Sequence, residues 1–327
     1  MGTIRPTEDK GRRRFAAAAS VPEFAGRTTR FPVVGSDRPH ALIANPSSGN
    51  GRGESILPEV EAELDKRHLA FRTVVTRDLE HGVEEALRAA EAEEIPVVLS
   101  GDGMIGQIGG ALARGEAPMG IIPGGRGNDL ARVLGIPDDP RAAVEILALG
   151  EERAIDVGEV NGQRFLGIAS AGFDSAANQL ANETRFVRGN LVYAYAALRT
   201  LAAWKHATFT VTLDGERIEH TGYSVAVANN KAFGGGMLMA PDAELDDGLF
   251  DVVLSGPVSK RRFLVNLPKV FKGTHVEEDE IEVRRAARVE VSADRPFAVY
   301  CDGEHLSDLP AELRLLNRAL RIIAPPG

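Results

Sequence analysis

Three glycine-rich turns in this 327-residue chain, at 45–53, 100–106 and 123–129, each follow a short apolar run and precede a helical stretch. Glycine lets a backbone come close to a phosphate, and a helix opening directly after the turn offers unpaired N–H groups to an anion. Ser100-Gly101-Asp102-Gly103 adds a carboxylate between two glycines, which suits a metal-bound phosphate. The competing reading of Asp102 is an N-cap for the helix after it, worth about 1 kcal/mol. No turn ends in Gly-Lys-Ser or Gly-Lys-Thr, and no Gly-x-Gly-x-x-Gly opens the first helix, so neither a Walker loop nor a dinucleotide fingerprint is present.

The turns are positioned by alternating elements. Apolar runs predict strands at His40 to Ala44, Phe71 to Val75, Pro96 to Leu99 and Met119 to Ile122, with helices at Glu54 to Arg67 and Val83 to Ala92 between them. Unbroken apolar strands alternating with helices predict a doubly wound parallel sheet, and ligands bind such sheets beyond the carboxyl ends of the strands. All three turns fall at those ends.

After Gly150 the rhythm changes to short strands joined by tight turns, with hairpin dipeptides at Asn161-Gly162 and Asp214-Gly215. Strands are expected at Ser224 to Ala228, Leu249 to Ser255, Arg288 to Ser292, Phe297 to Cys301 and Leu313 to Ile323. Helical insertions are expected around Ala171 to Asn182, Leu191 to Lys205 and Ser259 to Val270. The expected fold class is α/β, with a parallel-sheet nucleotide domain followed by an antiparallel β-sandwich. The expected division is 1–38 a disordered basic leader, 39–151 the nucleotide domain and 152–327 a β-rich substrate domain.

Composition narrows the function classes. One cysteine, Cys301, forms no internal disulfide, which favours a reducing cytoplasm. The longest apolar stretch, Leu191 to Leu198, is far short of the roughly 20 residues of a membrane span. A twin-arginine-like leader at Gly11 to Ala19 has too short an apolar run for an export signal. Residues 1–38 carry eight Lys or Arg against four Asp or Glu, so a formal net charge of −9 leaves −13 on the remainder. Such an acidic body disfavours nucleic acid, whereas the basic arm suits peripheral contact with anionic lipid on the inner membrane face. Lys260-Arg261-Arg262 with Lys269 and Lys272 reads either as a bilayer contact or as a solvated helix face, and the apolar helix with Leu201 and Trp204 as core or as the wall of an acyl-chain groove.

The motifs together resemble the diacylglycerol kinase and sphingosine kinase family of lipid kinases, related in fold to NAD kinases and phosphofructokinases, over about residues 40–325. The resemblance rests on Asn45-Pro46-Ser47-Ser48-Gly49, Ser100-Gly101-Asp102-Gly103-Met104, Pro123 to Asp129, Ala240 to Gly248 and Asp302-Gly303-Glu304, in that order. It implies an ATP site at Asn45, Pro46, Ser47, Ser48, Gly49, Thr76, Ser100, Gly101, Asp102, Gly103 and Met104, with Arg126, Asn128 and Asp129. It also implies Mg²⁺ as cofactor, Asp102 beside the metal-bound phosphates and Glu304 as general base. A structural metal site is implied at Glu244, Asp247 and Leu249; an Asp-Gly hairpin would explain Asp247 and Gly248 but not Glu244.

Met104, Gly106 and Arg126 depart from the polar residues usual in bacterial members, and Arg126 reads either as a phosphate contact or as an exposed loop arginine. The implied reaction is phosphorylation of a primary lipid hydroxyl, with diacylglycerol giving phosphatidic acid as the first candidate. Alternatives are a sphingoid-base or other lipid-alcohol kinase, an NAD kinase, and a silent nucleotide- or lipid-binding homologue. NAD kinases usually carry Asn-Glu where this chain has Asn128-Asp129, and they lack the Asp-Gly-Glu. The oligomeric state, a homodimer included, is open.

Overall fold

A computed structural model describes residues 38–184 and 191–326. The expected basic leader therefore lies, but for Arg38, outside the described residues.

The first half is a four-stranded parallel sheet in the order β2-β1-β3-β4, formed by β1 (His40–Ala44), β2 (Phe71–Val75), β3 (Ile95–Ser100) and β4 (Gly120–Pro123). Helices α1 (Arg52–Lys66), α2 (Leu79–Glu91), α3 (Asp102–Leu112), α4 (Asp129–Val133) and α5 (Pro140–Leu149) accompany it. Leu42, Ile43, Val97, Val98, Leu99, Ile121 and Ile122 are buried, as sheet residues covered on both faces must be. The α2 helix opens at Leu79, four residues before the expected start, because the Asp78 side chain accepts the His81 N–H at 2.8 Å and caps it.

The second half packs two six-stranded sheets into a sandwich, and its strands are β5 (Glu151–Val160), β6 (Gln163–Phe165), β7 (Ile168–Gly172), β8 (Ala207–Leu213), β9 (Glu216–Gly222) and β10 (Ser224–Ala228). They continue with β11 (Phe250–Ser255), β12 (Ile281–Ala286), β13 (Arg288–Ala293), β14 (Ala298–Cys301), β15 (Glu304–Asp308) and β16 (Ala311–Ala324). The sheet orders are β12-β11-β10-β7-β14-β15 and β6-β5-β16-β13-β8-β9. Phe165, Phe209, Phe250, Val252, Val289 and Leu313 fill the space between them. Asn161-Gly162 and Asp214-Gly215 do turn hairpins, all four residues having positive φ. The end of β16 returns to the parallel sheet, where Leu320, Ile322 and Ile323 join its core and Met119 exchanges backbone hydrogen bonds with Arg321 and Ile323.

Helices α6 (Phe173–Glu183), α7 (Leu191–Ala203) and α8 (Lys260–Val270) lie in this half. The expected helix from Ala171 starts at Phe173 instead, because Ala171 and Gly172 pair with Val225 and Ser224 of β10. Sheet pairing outweighs the local helical pattern there. Among the described residues no helix is long and apolar enough to cross a membrane.

Candidate active site

The three glycine turns meet backbone to backbone. A methyl group on Gly125 would stand 2.5 Å from Gly101 Cα, and one on Gly49 would stand 2.5 Å from the Gly124 carbonyl oxygen. Any side chain at these positions would push the loops apart. Ser48 donates its hydroxyl to the Asn45 carbonyl at 2.9 Å, and Asn45 Nδ2 donates to Ser100 Oγ at 3.3 Å, tying the first turn to the second. The third turn is closed by Asn128, whose Oδ1 accepts the Gly125 N–H at 2.8 Å while Nδ2 donates to Asp138 at 2.9 Å. Asn128 is buried in this role.

Asp102 is the first residue of α3, whose N-cap is Gly101. Its Oδ1 accepts the N–H of Leu130 at 3.3 Å, so it does not cap its own helix but joins the second turn to the third. Burial raises its pKa, and the Asp129 charge adds to this, against the backbone N–H groups of Leu130, Asp129 and Asn128. Asp129 itself is held by Arg132 at 2.7 Å and by the Gly235 N–H at 2.7 Å. A methyl on Gly127 would touch both carboxylates, at 2.7 Å from Asp102 Oδ2 and 3.2 Å from Asp129 Oδ2.

Two further contributions reach this place from the sandwich. The turn between β14 and β15 brings Glu304, whose Cγ and Oε1 lie 3.9 Å from a methyl position on Gly103. Asp302 of the same turn stands 3.8 Å from a methyl position on Gly106 and accepts the Cys301 thiol at 3.3 Å. It lies deep in the cleft, and its pKa is pushed up to about 7 by burial first, then by the charges of Asp102 and Asp129. The second contribution is the loop Phe233 to Met237, closed by two hydrogen bonds between its ends, whose Gly235 meets Asp129. By sequence Asp302 enters only as part of the Asp-Gly-Glu motif, with no role of its own, and a run of three glycines, Gly234 to Gly236, is the one signal for the loop.

The other expected nucleotide residues are placed as follows. Thr76 is buried with its hydroxyl on the Ala44 carbonyl at 3.2 Å. Ser47 N–H donates to Asn45 Oδ1, with Pro46 between them. Met104 is not on the cleft surface: its side chain is buried against Gly82 in the core, which leaves only its backbone for a ligand. Arg126 is exposed on the third turn.

The Ala240 to Gly248 turn lies apart from these loops in the hydrogen-bond pattern. Asp247 Oδ1 accepts the Leu249 N–H at 3.0 Å, and its Oδ2 pairs with Arg285. Glu244 and Asp242 face Asp251, which burial and those two charges push up to about 6. Among the described residues no group of three or more His, Cys, Asp or Glu side chains is arranged to hold a metal ion. A cation at this turn would thus depend on backbone carbonyls, which Leu249 can supply, and would compete with Arg285 for Asp247. Among the described residues the buried Asp251 Oδ2 has no hydrogen-bond partner, only the Arg285 guanidinium at 3.8 Å, and such an all-oxygen donor set is the kind a hard cation takes.

Beside α6, an apolar cavity of about 210 Å³ is walled by Phe173, Tyr223, Phe263, Leu267 and Val270, with Phe233 and Met237 of the glycine loop at one end. One loop therefore touches Asp129 on one side and the apolar cavity on the other.

A parallel sheet with three converging glycine turns faces a β-sandwich, and this two-part architecture is shared with known kinases. The family model for the diacylglycerol kinase catalytic domain matches residues 39–160, and that for the YegS C-terminal NAD kinase beta sandwich-like domain matches residues 167–324. A diacylglycerol kinase of Mycobacterium tuberculosis (strain H37Rv) is 35% identical over 292 residues, covering 86% of this chain and 94% of that one. One from Bacillus subtilis (strain 168) is 28% identical over 291 residues, covering 87% and 95%. The crystal structure of a diacylglycerol kinase from Bacillus anthracis superposes with a TM-score of 0.68 at 20% identity, over 88% of this chain and 97% of that one, and so shares the fold. The chain belongs to the diacylglycerol kinase family, and it is a lipid kinase.

Proposed function

We propose that the protein transfers the γ-phosphoryl group of ATP to the primary hydroxyl of diacylglycerol, giving phosphatidic acid and ADP. The observation that carries this reading is the approach of Glu304 to Gly103 across the cleft, 3.9 Å from a methyl position there. A carboxylate from one half stands over the phosphate turn of the other. Residues 39–151 act as the nucleotide half and 152–327 as the lipid half.

In this reading the backbone N–H groups of the turns at Asn45 to Gly49 and Ser100 to Gly103 bind the phosphates, with Thr76 at the edge of the same site. Asp102 and Asp129, whose carboxylates converge beside Gly127, hold Mg²⁺, and Asn128 keeps the third turn in shape for them. Mg²⁺, when bound, neutralises charge on the phosphates of a loose transition state. Arg126 adds a charge-assisted phosphate contact. Glu304 takes the proton of the lipid hydroxyl as that oxygen bonds to the γ-phosphorus and the bond to the ADP oxygen breaks. Such a base contributes about 10²- to 10⁴-fold. Glu244, Asp247 and the Leu249 carbonyl hold a second, structural Mg²⁺.

The acceptor's chain occupies the apolar cavity beside α6. Helix α8 has no buried residue, and together with the turn after it exposes Leu264, Val265 and Phe271 beside Arg261 and Lys272, a combination that suits peripheral contact with an anionic bilayer from the cytoplasmic side. Arg262 and Lys269, by contrast, pair with Glu280 and Glu278. Incubating the purified protein with ATP and a lipid panel in detergent micelles, with mass spectrometry of the products, tests the reaction. Phosphatidic acid is the expected product; a phosphorylated sphingoid base alone, or no phosphorylated lipid, would overturn it.

A further inference from the structure

The cavity beside α6 is apolar on most of its wall, yet two polar atoms on that wall are buried without a hydrogen-bond partner among the described residues: Asp174 Oδ2 and His275 Nδ1. An unpaired polar atom against an apolar space costs roughly 1–3 kcal/mol. Two in one cavity call for a ligand that pairs them. The His275 ring is turned by its other nitrogen, which lies 3.1 Å from the Met239 carbonyl and therefore carries the proton. Its Nδ1 is then a lone-pair acceptor. Asp174 has the Ser224 hydroxyl beside it and no cation among the groups that act on it, and burial raises its pKa.

The position of Asp174 bears on what part of a lipid it meets. It is the second residue of α6, and eight residues later Asn182 Nδ2 donates to the Gly303 carbonyl at 3.0 Å, in the turn that carries Glu304. At 1.5 Å of rise per residue the two lie about 12 Å apart along the helix. An ester carbonyl sits only a few bonds from the phosphorylated hydroxyl and carries no proton for the His275 lone pair. The matching group sits within the acyl chain.

We infer that the cavity selects lipids whose acyl chain carries a hydroxyl group, with Asp174 and His275 as its hydrogen-bonding partners. A hydroxyl is both donor and acceptor. It accepts from Asp174 when that carboxyl is protonated and donates to the His275 lone pair, whereas toward an ionised Asp174 its single proton goes to one of the two acceptors. A charged group fits less well, because most of the remaining wall is apolar and the one other charged residue on it, Glu280, is already paired with Arg262. This rests on the lipid-kinase reading of the cleft, with the cavity as its acyl-chain site.

The test compares diricinoleoylglycerol with dioleoylglycerol, which differ by one mid-chain hydroxyl on each chain, in mixed micelles with ATP. The wild-type protein is expected to favour the hydroxylated lipid about tenfold in kcat/KM, as one hydrogen bond to a buried group provides. In Asp174→Leu the preference should fall to within twofold, and in His275→Phe it should shrink. Asp174→Asn, which keeps a hydrogen-bonding side chain, should retain most of it, and Asp174→Ala takes the place of the leucine variant should that one fail to fold.

Binding is read separately through Trp204, the single tryptophan, whose ring meets Phe173 of the cavity wall edge-on at 5.5 Å. Titrating its fluorescence with ricinoleate and oleate follows the cavity without turnover. A wild-type preference below twofold in both measurements, or one that survives in Asp174→Leu or in the alanine variant used in its place, would overturn the inference. Selective binding without phosphorylation of either lipid would overturn the kinase reading of the acceptor and leave the cavity assignment standing.

Discussion

Asp102 Oδ1 accepts the backbone N–H of Leu130 at 3.3 Å, and by that contact one carboxylate joins the second glycine turn to the third. The same side chain offers its other oxygen beside Gly127, next to Asp129. Structural and chemical roles are thus divided between the two oxygens of one residue.

That division makes Asp102→Asn informative. The amide oxygen can still accept from Leu130, so the loops should stay together, and loss of a charge facing Asp129 and Asp302 relieves repulsion. The melting temperature is expected to be equal to or above that of the wild type, while lipid phosphorylation is lost. Calorimetry and a product assay on one preparation check both. Activity within tenfold of wild type would remove Asp102 from the metal-bound phosphates.

Asp302 predicts a pH effect of definite sign. Its pKa is about 7 in the folded chain against an ordinary value of 3.8. Between those values the folded state binds more proton than the unfolded one, so stability falls as pH rises from about 4 to 7, and the stabilising effect is gone above the folded value. Asp302→Asn removes this dependence. In the absence of nucleotide and metal, its melting temperature should exceed the wild-type value at pH 8 by about 3 °C or more, with the gap closing toward pH 4. Parallel melting curves across that range would show that Asp302 does not carry the proton.

The turn at Asp247 gives a third expectation. A structural cation there must win Asp247 from Arg285. If it does, Mg²⁺ raises the wild-type melting temperature by mass action on the folded state, and Asp247→Ala lowers stability and activity together and abolishes that response. Differential scanning fluorimetry over a Mg²⁺ series decides it. A response of equal size in the variant would move the ion elsewhere.

Local chemistry explains which features could be read without coordinates. His40 to Ala44, Phe71 to Val75 and Ser224 to Ala228 run from first to last residue as expected, because short apolar runs between turn residues leave little choice of boundary. Ala171 reads as helical and is a strand residue, since its partner Val225 is 54 positions away and nothing local announces the pairing. Met104 shows the same limit: a residue in a phosphate-turn motif suggests the ligand, yet its side chain has turned into the core against Gly82. Asp302 was hidden by its own motif, where an Asp-Gly turn is sufficient explanation until Gly106 and Gly167 are seen packed against it. The approach of Glu304 to Gly103 was legible only by resemblance, because it joins two halves of the chain that share no local pattern.

That approach is also what the last prediction tests. Glu304 is exposed at the start of β15, with its carboxylate 3.9 Å from a methyl position on Gly103, and no hydrogen bond or ion pair is formed by its side chain among the described residues. A structural role therefore has little to act through. Glu304→Gln keeps the shape and removes the proton acceptor, so the melting temperature and ATP affinity should remain near wild type. Lipid phosphorylation should fall by at least about 10²-fold, which corresponds to roughly 2.7 kcal/mol of transition-state stabilisation. The loss should lie in kcat, since the hydroxyl proton is transferred only as the new bond forms. Isothermal titration with nucleotide and a lipid-product assay on the same preparation separate the possibilities. A rate within tenfold of wild type would make Glu304 a turn residue, and a rate loss matched by an equal loss of ATP affinity would make it a nucleotide contact; either outcome removes it as the base.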